Sequence, residues 1–317
     1  MNIIKKIQEN IFRYELFERE TKIVIGVSGG PDSVCLLDAL YKLKEKYNLH
    51  LVIAHVNYGL RGKDSNLDEK LVKKLSEKYS LPIEVLKVKK SEITRSGKSE
   101  DKLRTVRYDF FEKVSKKYKA NAIAVGHNLN DQAETVLMRI LRGTGLRGLG
   151  AIKFRNNNII RPLLNIPRKE IIAYLRSNKT PYRIDKSNLS AVFMRNKIRN
   201  KLLPELEKDF NPNIQELLCK FSESASADYD FISRFTKEWL SANKKLQISA
   251  LSKLHPSICR EVLRQSLEKH APHLREIESA HIEEIVKIIK SGKGKRQKIA
   301  FKGLKVGRIG DKLSIGK

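Results

Sequence analysis

Short apolar runs alternate with longer amphipathic stretches between Lys22 and Gly126. Continuous apolar runs of this length are typical of strands buried on both faces of a parallel sheet. Helix-period stretches separate them, and each is long enough for a right-handed crossover between parallel strands. The pattern predicts a doubly wound α/β domain with a mainly parallel sheet. The predicted strands are 23–27, 51–56, 83–88 and 122–126, and the predicted helices are 33–46, 65–79 and 99–118.

The C-terminal third of the chain has a different pattern. The sequence NPN at 211–213 breaks the chain, and helical periodicity with Ser-rich joints follows as far as Ser291. Over 295–317, apolar and basic residues alternate with glycines, which indicates one or two strands or a hairpin. We therefore expect an α/β domain over residues 1–214 and a smaller, mainly helical and basic domain over 215–317.

Composition narrows the choice of partners. The 317 residues include 64 Lys plus Arg and 36 Asp plus Glu, a formal net charge of +28, which favours a polyanion such as nucleic acid. No apolar run approaches the roughly 18 residues that a membrane-spanning helix needs, and the first residues do not resemble a signal peptide. The three cysteines stand far apart, so neither a disulfide framework nor a structural zinc site is predicted. We expect a cytoplasmic protein without a membrane partner.

The first predicted strand runs into a six-residue loop, SGGPDS, that precedes a helix. Its glycines let the backbone approach an anion, its proline presets a helical turn, and the amides and dipole of that turn favour phosphate. The lysine of a Walker loop is missing. A glycine pair alone would indicate only a capped turn, but six suitable residues between strand and helix predict a phosphate cradle. The cradle consists of Ser28, Gly29, Gly30, Pro31, Asp32 and Ser33.

Two carboxylates stand three residues apart at a predicted helix start. Asp131 and Glu134 have the spacing of a capping box, although Asp131 replaces the usual Ser or Thr. They also share a helix face, as would His127 if the helix began earlier, and paired carboxylates suit an amine ligand. Glu100 and Arg104, four apart, are likewise either a surface ion pair or part of a site. Both interpretations stay open from the residues alone.

Three loops are expected to converge on one cleft. Ser28, His55 and His127 each follow the carboxyl end of a predicted strand, and open α/β sheets bind ligands in the crevice at that edge. Taken alone, His55 is better explained as a core histidine.

Two long stretches carry basic residues and no acidic ones. The segment 135–169 contains glycines at 143, 145, 148 and 150 among its arginines, which suits a loop that closes on a phosphate backbone. A second acid-free run covers 285–310. Solvated basic faces are the alternative, while Phe193 or Tyr182 offers an aromatic ring for a splayed base. The predicted RNA-binding residues in these runs are Arg139, Arg142, Arg147, Lys293, Lys295 and Arg296.

The loop at 28–33 resembles the SGGxDS loop of the ATP pyrophosphatases, and further motifs narrow the likeness. Over residues 22–206 the chain resembles the tRNA(Ile)-lysidine synthetases. Tyr58, where that family often has histidine, and Leu103, where it usually has alanine, depart from the pattern. The matching motifs are HVNYGLR at 55–61, ExxxRxxRY at 100–108, GHNxxDQAET at 126–135, RGTGL at 142–146, RPLL at 161–164, DxxN at 185–188 and RNxxR at 195–199.

The resemblance implies a two-step ligation. The O2 atom of a cytosine attacks the α-phosphorus of ATP and expels pyrophosphate, and the ε-amine of free lysine then attacks C2 of the adenylated base and releases AMP. The product would be lysidine at the wobble position of an isoleucine tRNA with a CAU anticodon. ATP and Mg²⁺ are the implied cofactors.

The resemblance also implies roles for particular residues. The cradle would hold pyrophosphate, with Asp32 as a Mg²⁺ ligand and catalytic residue, while Asp131 and Glu134 would bind lysine and Asp131 would act as its base. The remaining implied roles are nucleotide binding by Ala54, His55, Val56 and His127, catalysis by Arg104 and tRNA binding by Arg195.

Other functions share parts of this pattern. A tRNA thiolase would need a pair of reactive or cluster-binding cysteines, and a small-molecule synthetase would not need so basic a chain. A non-catalytic RNA-binding protein would have no reason to retain the whole loop together with Asp131 and Glu134. The sequence leaves open whether the protein forms a homodimer.

Overall fold

The computed structural model describes residues 2–88, 100–184, 194–270, 277–291 and 297–316. The chain forms two compact units, Met1–Glu223 and Ser224–Lys317. Their division falls within the helix Ile214–Ala242, which begins at the domain boundary expected from the sequence.

Strands and helices alternate through most of the first unit. Its strands are β1 (Lys22–Gly26), β2 (His50–Asn57), β3 (Ile83–Lys87), β4 (Ala122–Ala124), β5 (Arg155–Asn156) and β6 (Ile159–Ile160). Its helices are α1 (Ile3–Arg13), α2 (Pro31–Tyr47), α3 (Lys63–Tyr79), α4 (Glu100–Tyr118), α5 (Leu129–Leu141), α6 (Leu146–Leu149), α7 (Arg168–Ser177), α8 (Met194–Lys197), a π-helical turn (Ile198–Leu202) and α9 (Leu203–Asp209), followed by α10 (Ile214–Ala242).

The strands form one sheet in the order β3-β2-β1-β4-β6-β5. All neighbouring pairs are parallel except β5 and β6, which are antiparallel. The doubly wound, mainly parallel fold and all four predicted strands are therefore confirmed. The sequence did not predict β5 and β6, because two-residue strands leave no periodicity to detect.

Helices cover both faces of the sheet. Ile23 and Ile25 of β1 are fully buried in a core shared with α1, α2, α3 and α7, whereas Val24 points to the opposite face and packs in a core with Phe111 of α4. Each such aliphatic side chain contributes about 1.5–3 kcal/mol when it is removed from water. Burial on both faces explains why the strands read as continuous apolar runs.

The two departures from the sequence pattern lie against each other. The Tyr58 hydroxyl, just after β2, donates a 2.8 Å hydrogen bond to the Leu103 carbonyl in α4. Burial raises the pKa of Tyr58, so the phenol stays protonated as the donor. The contact links the end of β2 to the helix that carries Arg104.

The second unit combines helices with a small antiparallel sheet. Its strands pair in the order β7-β8-β9, one more strand than the hairpin that the sequence indicated, because the short turns at Gly303 and Gly310 continue the meander. Ile285 and Val306 are fully buried in its core. Its further elements are α11 (Ile248–Leu251), α12 (Pro256–His270), α13 (Ser279–Lys290), β7 (Gln297–Phe301), β8 (Leu304–Ile309) and β9 (Lys312–Gly316).

Over the described ranges, no helix combines the length and the apolar character that a membrane span requires.

The backbone after β4 passes very close to the start of α2. A Cβ atom added at Gly126 would lie 2.9 Å from the Asp32 carbonyl carbon and 3.0 Å from the Ser33 amide nitrogen. These are backbone atoms that cannot rotate away. Glycine at this position therefore allows the phosphate loop and the β4–α5 loop to meet.

We predict that Gly126→Ala lowers the free energy of unfolding by about 1–3 kcal/mol, because the methyl group overpacks against fixed backbone. Gly145→Ala is the matched control, since nothing lies within 4 Å of its added Cβ and its change should stay within about 0.5 kcal/mol. Denaturant unfolding of both variants checks this. Equal effects would show that the close approach imposes no constraint.

Candidate active site

The cradle of the phosphate loop is held by its own serines. The Ser28 amide donates to Ser33 Oγ at 3.1 Å, the two hydroxyl oxygens lie 3.1 Å apart, and Ser33 Oγ donates to the Gly30 carbonyl at 3.0 Å. Gly29 has φ +90°, a conformation that favours glycine. Helix α2 starts at Pro31 without a side-chain cap, so its N-terminal dipole faces the loop. This is the geometry of an anion site at a helix N-terminus.

Two arginines are fixed beside the cradle by one buried carboxylate. Asp68 accepts from Arg61 Nη2 at 2.6 Å and from Arg183 Nε at 2.7 Å. The Arg183 amide also donates to the Gly29 carbonyl at 2.9 Å. Asp68 and Arg183 were not predicted from the sequence, because they belong to no chemical motif and meet only through tertiary packing. Arg61 and Arg183 thus add two cationic groups next to the proposed phosphate site.

Asp32 projects from the first turn of α2 toward the β4–α5 loop. Its Oδ1 accepts from Asn128 Nδ2 at 2.9 Å, and its Oδ2 lies 3.5 Å from Arg168 Nη1. Burial raises the pKa of Asp32; the charge of Asp131 adds to this rise and Arg168 opposes it. The carboxylates of Asp32 and Asp131 are therefore close enough to repel each other.

The nucleotide-binding residues expected at β2 lie at the carboxyl end of the sheet. Ala54 is fully buried and its carbonyl accepts from the Val27 amide at 2.9 Å. His55 is buried too, and its Nδ1 lies 2.8 Å from the Val27 carbonyl oxygen. Burial lowers the pKa of His55, so a neutral ring donates from Nδ1. His55 Nε2 is buried and makes no hydrogen bond among the described residues, and the adenosine role of Ala54, His55 and Val56 stays a prediction.

Helix α5 starts earlier than the carboxylate spacing suggested. Its N-cap is Asn128, whose Oδ1 accepts from the Asp131 amide at 3.1 Å, while Asp131 Oδ2 accepts from the Asn128 amide at 3.1 Å. The capping box therefore joins Asn128 and Asp131, and the capping interpretation of the Asp131–Glu134 spacing is wrong. Asn128 takes the cap because it directly follows the β4 turn. His127 precedes the helix and does not share its face.

Glu134 is enclosed by two guanidinium groups. Its carboxylate is 1% exposed; Oε1 accepts from Arg199 Nε at 2.5 Å and Oε2 accepts from Arg195 Nε at 3.0 Å. Arg199 Nη2 also lies 3.2 Å from Asp131 Oδ1, and the Asp131 side chain is 18% exposed. A ligand amine could reach Asp131 more readily than Glu134. The lysine-binding role of both residues stays a prediction.

The two arginines come from a distorted helical segment. Arg195 lies in α8 and Arg199 in the π-helical turn that follows it. Although burial opposes the charge, hydrogen bonding to Glu134 raises the pKa of Arg199. Arg195 also donates to Thr135 Oγ1 at 3.3 Å. Its guanidinium is thus directed at α5, and its predicted contact with tRNA remains untested.

A second cationic group surrounds His127. Arg161 is buried and its Nε donates to His127 Nδ1 at 3.3 Å, while its Nη1 donates to the Lys153 carbonyl at 2.8 Å. Arg104 and Arg107 of α4 stack over the Tyr108 ring, at 5.2 and 5.5 Å from its centroid. Burial, together with these three guanidinium groups, lowers the pKa of His127 to about 3 against the opposing charge of Asp131. Arg104, the predicted catalytic arginine, thus lies close to the His127 ring.

The basic residues at the end of α5 and after it differ in exposure. Arg139 is partly buried and donates to the Gly148 carbonyl, which ties α5 to α6. Arg142 and Arg147 are exposed. Tyr182 packs against the main core. This packing leaves only part of the Tyr182 ring available for base stacking.

Several residues named from the sequence lie outside the described residues. They are Asp185, Asn188, Phe193, Lys293, Lys295, Arg296 and the side chain of Glu100.

Comparisons with known proteins agree in both parts of the chain. Residues 2–206 match the PP-loop domain family, and residues 246–313 match the TilS substrate binding domain. The tRNA(Ile)-lysidine synthase of Clostridium tetani is 35% identical over 92% of this chain and 65% of its own length. The synthase of Clostridioides difficile is 38% identical over 90% of this chain and 64% of its own, and that of Solibacter usitatus is 34% identical over 95% and 68%. The chain thus spans about two thirds of the length of these relatives.

A solved structure shares the fold. The U34-tRNA thiolase NcsA from Methanococcus maripaludis, solved with its [4Fe-4S] cluster, covers 70% of this chain and 77% of its own with a TM-score of 0.58 and 22% identity. The likeness extends to the fold alone. The cysteines of the present chain, Cys35, Cys219 and Cys259, are buried in α2, α10 and α12 and form no disulfide.

Each family match covers one part of the structure. The PP-loop match covers the phosphate cradle, the carboxylates of α5 and their guanidinium partners, while the substrate-binding match covers most of the second unit. The chain therefore belongs to the tRNA(Ile)-lysidine synthase family, with an N-terminal PP-loop domain.

Proposed function

We propose that this chain catalyses the ATP-dependent ligation of lysine to C2 of the wobble cytidine of an isoleucine tRNA. The observation that carries the proposal is that the first turn of α2, which can bind an anion, lies close to Asp131. The two come together because the backbone at Gly126 packs against the Asp32–Ser33 peptide. A phosphate site and an amine site in one cleft are what an adenylation followed by amine attack requires.

In the first step, the cytosine O2 attacks the α-phosphorus of ATP and pyrophosphate leaves. The cradle at 28–33 binds the leaving pyrophosphate through backbone amides and the α2 dipole. The guanidinium groups of Arg61 and Arg183, which Asp68 holds beside the cradle, can balance the negative charge of the pyrophosphate. Arg104 and His127 border the same cleft and are assigned to the nucleotide.

A magnesium ion fits the residues at this place. Asp32 supplies a partly exposed carboxylate. Burial raises the pKa of this carboxylate, and a cation bound beside it would favour the charged form again. Mg²⁺ is commonly held by one or two carboxylates together with substrate phosphates, so Asp32 is the proposed ligand. When bound, the ion would neutralise phosphate charge.

In the second step, the ε-amine of lysine attacks C2 of the adenylated base and AMP leaves. The amine must be neutral, so a base must take a proton from the ammonium. Asp131 is the proposed base because its carboxylate is reachable from the cleft. Glu134 supports this site by holding Arg195 and Arg199 next to Asp131.

The proposed RNA partner is an isoleucine tRNA with a CAU anticodon. Support comes from the net charge of +28, the exposed Arg142 and Arg147, and the match of the second unit to a substrate-binding domain. Phosphate contacts from such residues give affinity that falls with salt. Free lysine is the other partner, and the cytoplasm is the proposed location.

The direct test combines the protein with isoleucine tRNA, ATP and isotopically labelled lysine. We expect label in a single modified nucleoside, with AMP and pyrophosphate formed in equal amounts to it, because the loop lacks the lysine of a Walker motif. Nucleoside digestion with mass spectrometry measures the first product and phosphate-resolved chromatography the second. Stoichiometric ADP, or label that remains free, would refute the proposal.

Asp131→Asn should separate the two steps. The amide keeps the volume and can still accept from the Asn128 amide, but it loses the charge that binds and deprotonates lysine. We expect tRNA-dependent exchange of pyrophosphate into ATP to persist, while lysine ligation falls by roughly 100-fold or more.

Asp32→Ala is the companion variant and should abolish the exchange itself. Full exchange in Asp32→Ala would restrict that residue to a structural role. Normal ligation in Asp131→Asn would assign the base elsewhere.

A further inference from the structure

The ring of His127 has one nitrogen engaged and one free. Arg161 Nε donates to Nδ1 at 3.3 Å, whereas Nε2 makes no hydrogen bond among the described residues, and His127 as a whole is partly exposed. A guanidinium can only donate, so Nδ1 must be the bare nitrogen of the ring. The single proton of a neutral imidazole then resides on Nε2.

The position of Arg161 is itself fixed. Its side chain is buried, its Nη1 donates to the Lys153 carbonyl at 2.8 Å, and its amide donates to the Phe154 carbonyl at 2.8 Å. These contacts aim the guanidinium at His127 from the end of β6. The donor is preorganised before any ligand arrives.

The charged groups facing His127 come from three elements. Arg104 and Arg107 lie on α4, Arg161 follows β6, and Asp131 lies on α5. Three guanidinium groups against one carboxylate favour the neutral ring, in agreement with its lowered pKa. The same positive field favours an anionic oxygen opposite Nε2.

We propose that Arg161 is a positioning residue that holds His127 as a neutral Nε2–H donor to a phosphate oxygen. This rests on the proposed function for the identity of the phosphate, which belongs either to ATP or to the tRNA. His127 then acts as a fixed hydrogen-bond donor and takes no part in acid–base transfer.

The tautomer can be measured without any activity. Long-range ¹H–¹⁵N spectra of the full chain should show His127 with a bare Nδ1 and a protonated Nε2 near neutral pH. Arg161→Met should mix the tautomers, whereas Arg155→Met, whose side chain donates to the Glu15 and Asn157 carbonyls, should leave them unchanged. A protonated Nδ1 in the unsubstituted protein would overturn the proposal. This outcome depends neither on whether the variants fold nor on whether the protein is catalytically active.

A double-mutant cycle separates positioning from simple packing. His127→Gln places an amide N–H near the position of Nε2 and needs no partner to set a tautomer. We expect Arg161→Met to lower tRNA-dependent pyrophosphate exchange by about tenfold in the unsubstituted protein and far less in the His127→Gln background. Equal losses in both backgrounds would show that Arg161 acts only through packing.

The source of the phosphate follows from binding measurements on His127→Ala. About tenfold weaker binding of ATP without RNA assigns the oxygen to ATP, and about tenfold weaker tRNA binding with unchanged ATP binding assigns it to the RNA. Unchanged affinity for both would overturn the proposal. If the labelled-lysine test failed while the tautomer matched, the proposed function would fall and the positioning of His127 would stand.

Discussion

The candidate lysine site depends on the ion pairs that the buried carboxylate of Glu134 forms with Arg195 and Arg199. This carboxylate is nearly inaccessible to water, and such a charge is stable only when opposite charges and hydrogen bonds satisfy it. Arg195 and Arg199 do so from α8 and the π-helical turn, which brings that segment against α5. Arg199 also lies 3.2 Å from Asp131 Oδ1, so the buried carboxylate of Glu134 positions a cation next to the partly exposed carboxylate of Asp131.

A steric constraint joins this cluster to the nucleotide site. The backbone at Gly126 touches the Asp32–Ser33 peptide, and Asn128 links both sides by capping α5 and donating to Asp32. A side chain at position 126 would push the loop at 28–33 away from the carboxylates of α5. The close approach of the loop at 28–33 to the carboxylates of α5 therefore depends on the glycine and the asparagine of the GHN sequence.

Local pattern was enough to predict the sheet, the crossover helices and the loop at 28–33, because buried parallel strands and an anion-binding turn both leave local signatures. It failed where partners are distant in sequence. The capping interpretation paired Asp131 with Glu134, because spacing alone could not identify Asn128 as the N-cap. The pairing of Glu134 with Arg195 and Arg199 depends on a π-helical turn, and the contact of Tyr58 with Leu103 depends on how α4 packs on the sheet. Neither could be obtained from spacing alone.

The most direct measurement of the role assigned to Glu134 is a double-mutant cycle on the free energy of unfolding with Glu134→Gln and Arg199→Gln. Each single change leaves a buried partner without its charge, and we expect each to cost about 2–4 kcal/mol. The double variant should cost less than the sum of the two by at least about 1–2 kcal/mol, because the second change removes a group that the first has already left unpaired. Additive losses would contradict the account, since they would mean that Glu134 and Arg199 contribute independently.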